Sequence, residues 1–223
     1  MRARLLAAVL AALLAGGCGS FGSKAAERKI SEADQRWAEA ATFLPDDFPA
    51  GWIESSPGTE DEPPDECPEV DLSDLTVTGE ADTAFDNEEA GRFVLAARQV
   101  LESPDDARES LARGSSDEVS ECIRQGFLAE LEGETADFEV ENVRARETAA
   151  AAVGELARSF RLEFEYVFAA EERVPARLDL LSFQRGRATL TLGFLAVAGT
   201  FPPNLAERRA RAADERVERE PPP

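Results

Sequence analysis

The sequence predicts an α+β domain, a mainly antiparallel curved sheet flanked by helices. Three observations predict it. In residues 160–168, Phe160, Leu162, Phe164, Tyr166 and Phe168 alternate with Arg161, Glu163 and Glu165, the period of a strand with one buried face. Residues 177–184 and 187–197 are two more strand-like runs meeting near Gly186, as in a tight hairpin. Helical patterns stand at both ends of the chain, with most of the strand signal between them.

Taken in order, residues 24–42 place Ile30, Ala33, Trp37 and Ala41 at spacings of three and four, which predicts an amphipathic helix ended by Phe43, Leu44 and Pro45. From Glu54 to Glu89 there are 14 acidic residues and no Lys or Arg, with four prolines, so this stretch reads mostly as loop with one short strand at 75–78. Phe93, Leu95, Ala97 and Val100 suggest a strand. Ser103 then offers a cap, Pro104 suits a first helical position, and Asp105 and Asp106 suit the positive dipole end of a helix that closes at Gly114.

Ser115 with Glu118 makes a capping box for a second helix, whose Val119, Cys122, Ile123, Phe127, Leu128 and Leu131 share one face. Phe138, Val140 and Val143 suggest an irregular strand before the regular one at 160–168. The 187–197 run is apolar on both sides toward its end, so its strand is expected to be central or covered. Pro202 and Pro203 open a last helix reaching about Glu218.

The front of the chain has the layout of an export leader. Arg2 and Arg4 precede an apolar run over 5–15, then Gly16, Gly17 and Cys18. Eleven apolar residues are too few to span a bilayer and suit a secretory signal. Small residues before a Cys resemble the bacterial lipobox, in which the Cys is acylated and becomes the first residue. Here Ala15 stands where that pattern prefers Leu. Ordinary secretory cleavage after Gly17 is the alternative. Three cysteines outside the cytoplasm leave one unpaired, and acylation of Cys18 removes the odd thiol, leaving Cys67 and Cys122. The division expected is a leader over 1–17, a tether with its helix over 18–42, an α+β binding domain over 43–200, and a C-terminal helix with a Pro-rich tail over 201–223.

Composition excludes several functions. The formal net charge is -21, which repels phosphate backbones and anionic headgroups alike. No nucleic-acid partner is expected, and acyl chains on Cys18 rather than surface charge would hold the protein to a membrane. The chain has no histidine, hence no Ser-His-Asp triad, no Cys-His pair and no His-ligated zinc. No cofactor and no metal are expected.

Few residues then remain as candidates. Cys67 and Cys122 read as a structural disulfide or as two reactive thiols. Export favours the disulfide, and a redox enzyme would more often show CxxC, which is missing. The acidic run from Asp61 to Asp74 lacks the spacing and central glycine of a calcium loop. Paired carboxylates for glycoside hydrolysis arise by chance in any chain this acidic. Trp52 reads either as a flat ligand-facing ring or as an aromatic closing the edge of the core, and Tyr166, the sole tyrosine, as core or as the one hydroxyl in an aromatic cavity.

Several motifs together resemble the actinobacterial sensor-domain lipoproteins of the LpqN type, themselves similar to the extracellular domain of PknH-type kinases. They are Leu44-Pro45-Asp46-Asp47-Phe48-Pro49 with Gly51-Trp52, the Cys67 loop, Cys122-Ile123, and Arg185-Gly186-Arg187 leading to Gly199-Thr200-Phe201-Pro202. The resemblance spans roughly residues 43–219 and implies a PsbP-like fold and binding or sensing at the cell envelope, with no catalytic residue to carry over. The expectation is a non-enzymatic, lipid-anchored module on the extracytoplasmic face of the cell membrane, contacting an envelope protein or a small apolar ligand. A carrier of a lipid or other apolar ligand between sheet and helices is the alternative, and an unrecognised carboxylate-dependent hydrolase the second.

Overall fold

The computed structural model describes residues 26–40, 42–55, 71–114, 138–168, 172–199, 201 and 205–219. The strands are β1 (Glu27–Arg28), β2 (Ile53–Ser55), β3 (Thr76–Asn87), β4 (Arg92–Leu101), β5 (Phe138–Thr148), β6 (Leu156–Phe168), β7 (Glu172–Arg185) and β8 (Ala188–Val197). The helices are α1 (Glu32–Ala40), α2 (Pro104–Gly114) and α3 (Leu205–Arg219). The strands form one sheet in the order β1-β3-β4-β8-β7-β6-β5, with β2 also on β3 and every pairing but β1–β3 antiparallel. The architecture is α+β. Cys18, Cys67 and Cys122, and the helix expected after Ser115, lie outside the described residues.

Strand β8 sits between β4 and β7, and its side chains from Ala188 to Ala196 are buried, as a run apolar on both sides requires. Alternation sends its even-numbered residues to one face and its odd-numbered ones to the other. Ala188, Leu190, Leu192, Phe194 and Ala196 join Val94, Ala96 and Val100 of β4 and Leu181 and Phe183 of β7 in a core that Trp37 and Ala38 of α1 and Leu205, Ala210, Ala213 and Val217 of α3 close. On the opposite face Phe93, Leu95, Leu162, Phe164, Tyr166, Leu178, Leu180 and Leu195 form a second apolar cluster. Ala107 of α2 packs at one end of that face with Val77 and Leu101.

Two expectations need correction. The short strand expected at 75–78 is the start of the twelve-residue β3, which runs to Asn87, and β2 takes in Glu54 and Ser55; residues 56–70 of that acidic stretch lie outside the described residues. Val77, small Gly79, Ala81 and Ala84, and Phe85 form the apolar positions there, a weak signal among acids. Gly79 is small for a reason, since a Cβ would come within 2.5 Å of the Asp34 backbone, where α1 crosses the strand. The first helix begins only at Glu32, and Ile30, expected on its buried face, is 47% exposed. Residues 27–29 instead run extended, with Glu27 and Lys29 donating their N–H groups to the carbonyls of Leu75 and Val77. The helix then starts at a proper cap, Ser31 Oγ accepting the Asp34 N–H at 3.0 Å. At α2 the cap falls where the sequence places it, with Ser103 Oγ accepting the Asp106 N–H at 3.0 Å.

The Arg185-Gly186-Arg187 tip clasps both helices of the covered face. Gly186 takes φ 54°, a left-handed turn that suits glycine. On one side of it Arg185 pairs with the buried Asp214 of α3, which also accepts the Gly154 N–H at 3.0 Å. On the other, Arg187 donates to the buried Asp34 of α1 at 2.6 Å and to the Leu101 carbonyl at 3.1 Å. Burial is the largest single influence on the Asp34 carboxyl and pushes it up. Hydrogen bonds from Arg187, Thr78 and Ser31 outweigh burial and hold it below the usual carboxylate range.

Candidate functional site

The segment from Phe43 to Ile53 builds an aromatic shelf at the rim of the helix-covered core. Pro45–Asp47 forms one turn of 3-10 helix, and the Asp47 carboxylate accepts the Leu44 N–H at 2.9 Å, closing it. The same carboxylate takes two hydrogen bonds from Arg216 of α3, at 2.6 and 2.5 Å, while Arg216 also donates to the Thr42 carbonyl at 2.5 Å. Arg209, one heptad earlier on α3, reaches Asp47 at 3.5 Å. One acid thus bolts the segment to the last helix, and charge-assisted bonds of this kind fix geometry well.

Held this way, the rings stack in sequence. Phe48 stands edge-on to Phe43 at 5.4 Å and lies 4.9 Å from both Phe85 and Trp52. Trp52 is near parallel to Phe201 at 6.5 Å, and Phe201 meets Phe194 edge-on at 5.7 Å. The Arg209 guanidinium sits 5.2 Å from the centre of Phe48, and Arg92 5.9 Å from that of Phe201. Burial is the main influence on Arg209 and lowers its pKa, with Asp47 acting the other way. Trp52 is half-buried at the outer end of the stack, beside Ile53, which is 65% exposed, and Leu44 in the same segment is 43% exposed. Trp52 therefore closes the edge of the core with one side and meets solvent with the other.

Tyr166 is elsewhere. It lies on the opposite face of β6, 5.2 Å edge-on from Phe164 and 6.3 Å from Phe168. Only 2% of it is exposed, and that burial pushes its hydroxyl well above the usual phenol range, so it stays neutral at any physiological pH. The fold does not bring the two candidate ligand-facing residues into one site. Cys18 and the Cys67/Cys122 pair lie outside the described residues.

Residue reading alone missed the clamp of Asp47, Arg209 and Arg216. Its signal was present in two pieces, an acid inside the Leu44–Pro49 motif and two arginines seven apart on one helix face, but nothing local joins them. Among the described residues the carboxyls whose pKa is shifted, Asp34, Asp74 and Glu165, are all shifted downward. Among the described residues no group of three or more His, Cys, Asp or Glu is arranged to hold a metal ion. No described helix is long and apolar enough to cross a membrane.

Fold and site together define an α+β protein with a buried aromatic stack that reaches the surface at half-buried Trp52 and is flanked by guanidinium groups. No family model matches the chain, and no curated protein matches it. Among solved structures it is similar to one described as "Crystal structure of LpqN involved in cell envelope biogenesis of Mycobacterium tuberculosis", with 12% identity over 78% of this chain and 80% of that one and a TM-score of 0.29. A likeness of that degree carries no argument about activity.

Proposed function

We propose that this chain is a lipid-anchored module on the extracytoplasmic face of a cell membrane, which binds an envelope protein or a small apolar ligand and catalyses nothing. The observation that carries the binding role is the shelf: Trp52, backed by Phe48 and Phe201, flanked by Arg92 and Arg209, with Ile53 65% exposed beside it. Aromatic and arginine side chains on a rigid support are the groups that dominate contact energetics. The anchoring rests on the leader and Cys18.

Two experiments test these parts separately. A photoreactive amino acid at Ile53 is expected to give discrete adducts in living cells that Trp52→Ala weakens, with none from the same group at Glu109 on α2. Equal labelling at both positions removes the binding role of the shelf. A clickable fatty acid is expected to label the wild-type protein and not Cys18→Ser. Cytosolic protein with its leader intact and no acyl chain removes the anchor.

The second apolar face supports one further reading, a carrier of an apolar ligand. It rests on the rings of Phe164, Tyr166 and Phe168 and on Leu162, Leu178 and Leu180 beside them. Native mass spectrometry after gentle extraction separates the two readings, since consistently ligand-free protein argues against a carrier. A hydrolase is the weakest reading, because carboxylate pairs arise by chance in a chain with 45 acids.

A further inference from the structure

The two edges of the sheet are treated differently. The outer edge of β3 is occupied along most of its length: β1 pairs with Thr76 and Val77, Ser31 N–H bonds the Thr78 carbonyl, and β2 pairs with residues 84–86. Between them the Gln35 side chain imitates a strand, its Nε2 donating to the Glu80 carbonyl at 2.8 Å and its Oε1 accepting the Glu80 N–H at 3.1 Å. The outer edge of β5 has no such cover among the described residues. It ends the strand order, nine of its eleven residues pair with β6 and none with another described strand, and none of its described side chains is buried. A row of free backbone donors and acceptors of this length is a template for another strand.

The side chains say which strand fits. Strand β5 is acidic in its first half, with Glu139 and Glu141, and basic in its second, with Arg144 and Arg146. A bulge separates the halves: Asn142 takes φ 57°, and the register with β6 shifts between Glu141 and Arg144. In a regular strand residues three apart point to opposite faces, but the bulge places Glu141 and Arg144 on the same face, opposite Glu165 and Glu163 of β6. That changes what β5 can do with a copy of itself. A two-fold axis perpendicular to the sheet preserves faces, so a regular strand cannot set Glu141 against Arg144 of its twin. This bulged strand can.

We infer that two copies of this chain pair through antiparallel β5 edges, in the register that sets Glu139 against Arg146 and Glu141 against Arg144 of the second copy. The two-fold axis repeats each pair, and Val140 then faces Ala145 on the apolar side of the sheet. Among the described residues Glu139 and Arg144 make no ion pair within the chain, while Glu141 bonds Arg173 at 2.7 Å and Arg146 reaches Glu163 at 3.3 Å, both at exposed sites. The two sheets would join into one. For a chain of net charge -21, copies otherwise repel, so a complementary edge is what lets them meet.

The test uses two differently tagged full-length copies, co-expressed and co-purified in mild detergent, with sedimentation of the purified protein. Wild-type copies are expected to co-purify and to sediment as a dimer. Arg144→Glu/Arg146→Glu sets acids against acids, and Glu139→Arg/Glu141→Arg sets bases against bases. Each is expected to weaken self-association by about 100-fold or more, as like charges face each other directly. Mixing the two variants is expected to restore pairing, and so is the four-residue exchange within one chain, which keeps composition and net charge. Circular dichroism checks that each variant folds, and the four-residue exchange decides if either double variant does not. Monomeric wild-type protein, double variants that associate like wild type, or failure of both the mixture and the exchange would overturn the inference.

Discussion

The two halves of the sheet solve the same burial problem in opposite ways. In the β3–β4–β8 half, the face carrying Val94, Ala96, Leu192 and Phe194 is covered by α1 and α3, and ion pairs at buried Asp34 and Asp214 and at half-buried Asp47 hold those helices down. In the β5–β6–β7 half the same face is a lattice of charge. Arg161 and Arg177 flank Asp179, Arg146 meets Glu163, and Arg173 meets Glu141 and Glu165. There the apolar side chains point the other way, into the cluster of Leu162, Phe164 and Tyr166. A continuous hydrogen-bonded sheet thus carries helices over one face in one half and an exposed charge lattice on that same face in the other, the wing, whose apolar side chains are buried on the opposite face.

The comparison breaks most readily at its largest expected effect. Phe194→Ala, in the covered half, is expected to cost about 3–5 kcal/mol in chemical denaturation, the range for a buried ring removed from a tight core. Phe160→Ala, on a half-buried ring of the wing, is expected to cost about 1–2 kcal/mol. Equal costs would mean that the Phe160 ring is packed as tightly as Phe194 despite its partial exposure.

Arg187→Ala comes next, at about 3 kcal/mol, because it leaves the Asp34 carboxylate buried without its main partner. Replacing both members, as Asp34→Leu with Arg187→Met, is expected to recover most of that loss. A double variant as unstable as the single one would locate the cost in packing of the arginine stem instead.

The same pair sets an acid limb. Since the Asp34 pKa is lower in the folded chain than its ordinary value of 3.8, its contribution is complete above that value and is lost as pH falls through the lower folded one. Arg187→Ala should flatten this limb between wild type and variant, which thermal melts from neutral pH down to about 2.5 would read. The smallest effect belongs to the wing, where Glu163→Gln removes an exposed pair and is expected to change stability by about 0.5 kcal/mol or less. A larger value would show that the charge lattice acts as a cooperative network.

The elements legible in the sequence were those whose pattern is local. Alternation across 160–168 announced β6, the Ser103-Pro104-Asp105-Asp106 run announced α2, and the two-sided apolar run announced the central β8. Strand β3 was illegible because only Val77 and Phe85 among its residues are large and apolar, and Gly79, Ala81 and Ala84 stand between acids, a composition shared with solvated loops. Edge pairing by residues 27–29 was equally hidden, since a strand of two residues has no period to detect. Of the shelf, Trp52 could be singled out as a ring near a loop, but not the order in which Phe48, Phe85 and Phe201 stack behind it.

By itself, then, the amino-acid order determined the fold class, the faces of the regular strands and the histidine chemistry this chain must do without. Tertiary structure alone decided which acid meets which arginine. Asp47 with Arg216, Asp34 with Arg187 and Asp214 with Arg185 are separated by 169, 153 and 29 residues, and a chain with 45 acids and 24 bases permits far too many pairings to choose among by inspection. Only the closing of the sheet and the docking of its helices bring particular partners within hydrogen-bond reach, because burial penalises every charge that arrives without one.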